Sequence, residues 1–352
     1  MWRRDRPAAV AVLAALAMLV APTALTALPA PDELAGDRSA DGGRPPDCGA
    51  NPPDTVTITT VQYEVRRETY LSVDRFRREM EAIVRRAALQ HDADLVVFPE
   101  YVNVFLIAAV YPSIAVEATD VNAAVRLIAA QANIEPDIKE ILRAHAAEIA
   151  AAASGVWTDL AEQYDVSIVA GTVFALARAG DAELRNRLLV VDDDGRVVYT
   201  QDKAYLTPEE ERLLGLSPAP VSEADLVAIE GLDVGITICR DTYFGAWETV
   251  FQGIDLWIDL RANGEPYSRE VYERFLTTLP ERVRESDAVA GVNASLTGEF
   301  LGFLWEGPSY AVDATGRRVA CSNDPRGTEL TTVDLVRTNG SWTIRPTAVQ
   351  NR

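Results

Sequence analysis

The chain has 352 residues, is 48% hydrophobic and carries a formal net charge of −20. That supplies a substantial core, and the ordinary glycine and proline content fits neither a fibrous nor a disordered class. An acidic surface without any Lys/Arg cluster interleaved with aromatics argues against nucleic-acid binding, and two histidines with no HExxH or CxxC spacing leave almost nothing for a zinc site.

The chain begins with Arg3, Arg4 and Arg6, an uncharged apolar stretch from Ala8 to Val20, and small residues at Ala27 to Ala30. This layout predicts a secretory signal over residues 1–30, with an uncleaved membrane anchor as the alternative. The expected location is secreted or in the cell envelope. Residues 31–54, rich in Pro, Gly and Asp, read as a flexible lead-in. Residues 55–352 then form the folded domain.

TVTITTVQYEV (55–65) reads as the first strand and residues 73–93 as an amphipathic helix with Phe76, Met80, Ile83, Val84 and Ala87 on one face. DLVVFPE (94–100) follows as a short buried strand, completing a βαβ opening. From Val102 to about Gln163 the composition is helical, in at least two pieces because Pro112 and Pro136 interrupt it. Strands are expected over 164–176, as a pair joined by DDDG within 184–206, and over 229–239 and 253–262. A helix over 271–287, a strand over 288–296, a hairpin over 307–320 and a strand over 328–336 complete the reading. The mixture of parallel-type units and late hairpins points to an α/β fold with mixed sheets.

Three apolar runs end on ionisable groups: Glu100 after LVVFP, Lys203 after VVYTQD and Cys239 after VGITI. Strand ends in α/β proteins converge on clefts. A thiol becomes a nucleophile when a base takes its proton or a positive charge stabilises its thiolate. A carboxylate serves as that base, and a lysine stabilises both the thiolate and the oxyanion of a tetrahedral intermediate. Singly, each signal is weak: a lone Cys in an apolar run is usually structural, and a lone Glu or Lys usually lies in a loop or on the surface.

LVVFPE, TQDKAYLTPEE and GITICRD, in that order, resemble the glutamate, lysine and cysteine motifs of the carbon–nitrogen hydrolase family, the nitrilase superfamily. GPSYAVDATGRRV and AVAGVN resemble later segments, so the similarity runs over residues 55 to 336. The resemblance implies a four-layer αββα sandwich of two mixed β-sheets and an amidohydrolase needing no metal and no cofactor. It implies that Glu100 is the general base, that Cys239 is the nucleophile forming a thioester, and that Lys203 and a backbone N–H near Arg240 hold the oxyanion. It also implies a second carboxylate among Glu209, Glu210 and Glu211, with Glu210 or Glu211 favoured; the alternative is an exposed helix start capped by Thr207.

The sequence departs from the family pattern at Tyr205, where many members have His. Cys-Arg-Asp is closer to the amidase-type branches than to the Cys-Trp-Glu of true nitrilases. Tyr205, Arg240, Trp247, Asn293 and Trp305 are expected at the substrate pocket. Asp241 is read as structural support. The segment FLIAAVYPSIAVEATD either lines the substrate cleft or is a surface helical insertion. Expected partners are a small-molecule amide and further copies of the chain, as a homodimer or higher oligomer, with no stable membrane insertion after signal cleavage. An acyltransferase using the same thioester and a catalytically silent exported binder remain the alternatives. Of the three cysteines, Cys48 and Cys321 are the expected pair if any bridge forms, leaving Cys239 free.

Overall fold

The structure, a computed structural model, describes residues 54–347 apart from residues 179 and 265–267. The expected signal and lead-in, and Cys48 of the expected bridge, lie outside the described residues. In chain order the principal elements are β1 (Thr55–Val65), α1 (Val73–His91), β2 (Leu95–Phe98), α2 (Val121–Ala132), α3 (Ile138–Tyr164), β3 (Ser167–Leu176), β4 (Leu184–Val191) and β5 (Val197–Asp202). They continue with β6 (Val227–Ile229), β7 (Leu232–Ile238), β8 (Leu256–Arg261), α4 (Arg269–Glu285), β9 (Ala290–Phe300), β10 (Phe303–Trp305), β11 (Tyr310–Asp313), β12 (Arg318–Cys321), β13 (Glu329–Thr338) and β14 (Ser341–Pro346).

One mixed sheet runs β5-β4-β3-β2-β1 and continues through β13 to β14. The other runs β6-β7-β8-β9 and continues through β11 to β12. The far end of β1 joins them: Thr55 to Gln62 pair with β13, whereas Tyr63 to Val65 pair with Leu296 to Gly298 of β9.

Side-chain alternation sorts the layers. In β2, Leu95 and Val97 face the other sheet and pack with Val234, Ile236, Ile258 and Val292. Val96 and Phe98 point the other way, onto Phe76 and Met80 of α1 and Trp157 and Leu160 of α3. On the second sheet, Trp257 and Tyr310 face outward against Leu279 and Val283 of α4. Three apolar interfaces therefore separate four layers, helices–sheet–sheet–helix, as the family resemblance implies. Strands buried on both faces read as continuous apolar runs. No helix among the described residues is long and apolar enough to cross a membrane.

Helix ends follow the capping chemistry of the sequence. The side chains of Ser72, Asp120, Asp137 and Ser268 accept from backbone N–H groups in the first turns of α1, α2, α3 and α4. The helical region after Val102 is in four pieces: short turns at Ile107–Val110 and Ser113–Glu117, then α2 and α3. Pro112 caps the second of these and Pro136 precedes α3. Three short strands, β6, β10 and β14, were not expected from the sequence; each is an edge or a hairpin arm, and β6 and β10, though apolar, are only three residues long, too short to show a period.

Candidate active site

Three strand ends meet. Glu100 follows β2 through Pro99, Lys203 follows β5, and Cys239 follows β7. Glu100 is fully buried and Lys203 is 1% exposed. Lys203 Nζ donates to Glu100 Oε1 at 2.7 Å and to Glu210 at 2.9 Å, so one ammonium bridges two buried carboxylates. Asn186, from the middle of β4, donates its amide to Glu100 Oε1 at 2.8 Å and to Glu210 Oε1 at 3.0 Å. Tyr101 Oη donates to Glu210 Oε1 at 2.6 Å, and the Thr207 N–H donates to Glu210 Oε2 at 2.7 Å. Within this cluster Glu100 Oε2 and Asn186 Oδ1 are left without a hydrogen-bond partner among the described residues.

The electrostatics differ between the two carboxylates. Burial pushes the Glu100 carboxyl up to about 7, although Lys203 and Asn186 pull against it, and the negative charge of Glu210 adds to the rise. Burial also opposes ionisation of Glu210, but Lys203, the Tyr101 hydroxyl and the Thr207 N–H outweigh it and hold its pKa below the ordinary carboxylate value. Lys203 is held charged: burial disfavours its ammonium, and the two carboxylates more than compensate. Cys239 is partly exposed as a residue. Enclosure of its thiol and the charge of Glu100 raise its pKa, against the pull of Lys203 and a backbone N–H donated by Ala262 at the end of β8. The resting thiol is therefore protonated at neutral pH.

Local backbone places these groups. Cys239 has φ of 53°, a left-handed conformation disfavoured for a side chain with a Cβ, at the start of the tight turn Cys239–Tyr243. Asp241 holds that turn against the lysine loop: its carboxylate accepts from the N–H groups of Tyr205 at 2.7 Å and Ala204 at 3.2 Å, and from Ile238 at 3.4 Å. Arg240 Nη1 donates to Leu206 O at 2.8 Å and reinforces the join. The glutamate loop rests on a bulge in β3. Tyr101 N–H donates to Thr172 Oγ1, and a Cβ on Gly171, whose φ is +65°, would lie 2.2 Å from Pro99 O. Only glycine fits there.

The sequence profile described as Carbon-nitrogen hydrolase matches residues 57–253, which include Glu100, Lys203, Glu210 and Cys239. The chain belongs to the carbon–nitrogen hydrolase family. Solved structures with the same fold include a mutant amidase from Nesterenkonia sp. AN1 described as the result of Michael addition of acrylamide at its active-site cysteine. It is 17% identical with a TM-score of 0.58, covering 84% of this chain and 96% of that one. A double mutant of the same amidase in complex with acrylamide is 16% identical with a TM-score of 0.58, covering 86% and 96%. The carbon-nitrogen hydrolase from Helicobacter pylori G27 is 14% identical with a TM-score of 0.57, covering 79% and 89%. No curated protein matches the chain.

In this carbon–nitrogen hydrolase a cavity of about 810 Å³ opens onto Cys239 and Glu210, and Arg240 and Trp305 line it as expected of pocket residues. Three other expected pocket residues do not line it. Tyr205 is stacked on Phe244, ring centroids 3.8 Å apart. Trp247 is fully buried against Phe251 in the layer between the second sheet and α4. Asn293 is buried within β9, donating to Ser295 Oγ and Pro308 O and accepting from Tyr310 N–H. Each lies near a motif in sequence, but Tyr205 sits in the loop after β5, Trp247 in a short helix over Ala246–Val250 that packs on the outer face, and Asn293 in the sheet's own hydrogen bonding. Of the acidic run, Glu210 enters the site, Glu209 lines the cavity and Glu211 is exposed. The segment after Val102 lines the cavity, through Phe105, Ile107 and Ile114. Sequence reasoning missed Asn186 and Tyr101. Among the described residues, the group of three or more His, Cys, Asp or Glu side chains close enough together to hold a metal ion is Asp192, Asp193 and Asp194, in the turn at the opposite end of β5 from Lys203.

Proposed function

We propose that the protein hydrolyses the C–N bond of a small amide through a thioester on Cys239. The observation that carries this reading is the unpaired Oε2 of Glu100, whose other oxygen is fixed by Lys203 and Asn186. A carboxylate with one oxygen anchored and one free, with a pKa near neutrality, is suited to move a proton in both directions.

Glu100 takes the thiol proton as Sγ attacks the carbonyl carbon. The carbonyl π electrons move to oxygen, which Lys203, with three donors and two carboxylates to serve, stabilises through its remaining N–H. Glu100 then gives the proton to the substrate nitrogen, the C–N bond breaks, and ammonia or an amine leaves. Water attacks the thioester as Glu100 removes its proton; the C–S bond breaks, the acid forms and the proton returns to sulfur. Because the resting thiol is protonated, deprotonation accompanies attack and no preformed thiolate is required. Glu210 holds Lys203 and Asn186 in place. Similarity to an amidase whose active-site cysteine takes acrylamide by Michael addition in one mutant, and which holds acrylamide in a complex in another, supports amides over nitriles as the substrate class. The N-terminal pattern supports export of the protein.

A matched amide and nitrile panel, read by ammonia release with Cys239→Ala as blank, tests the reading. Turnover of amides faster than of the matching nitriles is expected. A nitrile hydrolysed ten times faster than its amide, or activity equal in the blank, overturns it. An amine acceptor that diverts the acyl group faster than water hydrolyses it establishes the acyltransferase reading instead.

A further inference from the structure

Cys239 and Glu210 lie in the wall of a cavity of about 810 Å³, whose polar lining also includes Tyr101, Thr207, Arg240 and Asn263. The rest of the wall is aliphatic and aromatic, supplied largely by the region between β2 and β3: Phe105, Ile114, Ala124, Ile128 and Ile141, faced by Trp305. In α2, Ala124 and Ile128 lie on the buried face, yet that face borders this space as well as side chains. A wall so largely apolar is better covered by an apolar ligand than by water. It lies in the size range of ligand pockets.

Resting on the amidase reading above, we propose that this cavity receives the acyl chain of the substrate, a hydrocarbon of roughly six to ten carbons, so that the enzyme acts on medium-chain primary amides. A methylene occupies about the volume of a water molecule, about 30 Å³, so ten carbons fill roughly 300 Å³ and fit with room for the amide group. The two ends of the substrate are assigned by chemistry. The leaving nitrogen must reach Glu100, which sits in a packed polar floor with Lys203 and Asn186, all of them buried. None of these three side chains lines the cavity, and they are hydrogen-bonded to one another, so we give this packed end to an unsubstituted NH₂ group. The acyl side is left to point into the apolar chamber.

Two parallel measurements on the full chain test this. Ammonia release is followed for propanamide, butanamide, hexanamide and octanamide, and N-octylacetamide is followed by octylamine release. The dissociation constants of the same primary amides are measured by calorimetry on Cys239→Ala, which needs no turnover. We expect kcat/KM to rise roughly three- to fourfold per added methylene, with dissociation constants falling in step. Constant or falling kcat/KM with short amides still hydrolysed overturns the acyl-chain assignment and leaves the amidase reading intact. No turnover of any amide, with affinity still rising with chain length, overturns the amidase reading and leaves the chamber's chain binding standing; flat affinity removes both. N-octylacetamide preferred over octanamide reverses the orientation and refutes the proposal. Ala124→Phe, or Ile128→Asn should the first fail to fold, should lower the octanamide-to-propanamide ratio of kcat/KM at least tenfold; an unchanged ratio places the chain elsewhere.

Discussion

Lys203 Nζ lies 2.7 Å from Glu100 Oε1, and both side chains are 1% exposed. Charges this deeply buried persist only because they are paired and hydrogen-bonded. The lysine also serves Glu210, so a single cation balances two carboxylates. Lys203→Ala should therefore damage folding as well as chemistry. Removing one partner of a buried ion pair costs about 3–5 kcal/mol, and urea unfolding should show a loss of that order. Double replacement of Lys203 and Glu210 by Met should recover much of the stability and none of the activity. A Lys203→Ala protein as stable as wild type would show that its carboxylates are hydrated.

The pH dependence follows from Glu100. Burial raises its pKa to about 7, and in the proposed reaction it must be ionised to accept the thiol proton. Activity should then be low where Glu100 is protonated and rise with pH through about 7, giving an acidic limb in kcat/KM. Asn186→Ala removes a hydrogen bond that favours the ionised form, so the limb should move to higher pH. A limb that stays in place in this variant would detach Asn186 from the base.

Asp241 tests support against chemistry. Its carboxylate accepts from the N–H groups of Ala204 and Tyr205, and burial pushes it up to about 8 despite the pull of Lys203. Asn keeps one accepting oxygen there; Ala keeps none. Asp241→Ala should cost about 1–3 kcal/mol for each buried donor left unpaired, with Asp241→Asn milder by thermal melting. Equal losses would mean that the negative charge, and not the acceptor, holds the turn.

The backbone at Cys239 gives a further test. At φ of 53° a Cβ is strained and glycine is not. Both Cys239→Ala and Cys239→Gly should abolish turnover, and the glycine variant should be the more stable by about 0.5–1 kcal/mol. Lower stability of the glycine variant would show that packing around the Cβ outweighs the strain.

Much of this was legible in the sequence where it rests on alternation and strand ends. LVVF and VGITI are buried on both faces, and the polar residues that end them fall at the cleft because strands in such sheets deliver their carboxyl ends there. Asn186 was legible in principle: it shares parity with the buried Leu184, Leu188 and Val190, so its amide had to point inward. Attention to apolar runs alone passed over it. Tyr101 gave no such signal, since its position depends on a left-handed turn at φ of 66°. Trp247 was misplaced because nearness along the chain to Cys239 says nothing about facing. Gly235 is the missed clue: a Cβ there would lie 2.6 Å from Phe251 Cδ2, so the outer face of β7 already belonged to the aromatic cluster.

The division of the site between two sheets has a functional consequence. Glu100 and Lys203 are carried by strands of one sheet and Cys239 by a strand of the other, and the two sheets are joined where the last residues of β1 pair with β9. The thiol and the carboxylate that exchange a proton in the proposed reaction are thus mounted on separate plates. A slip between the plates too small to disturb either plate's hydrogen-bonded ladder still pulls sulfur away from carboxylate. Warming or mild denaturant should silence the enzyme while its circular dichroism is still native, and ligands that wedge against both plates should protect it.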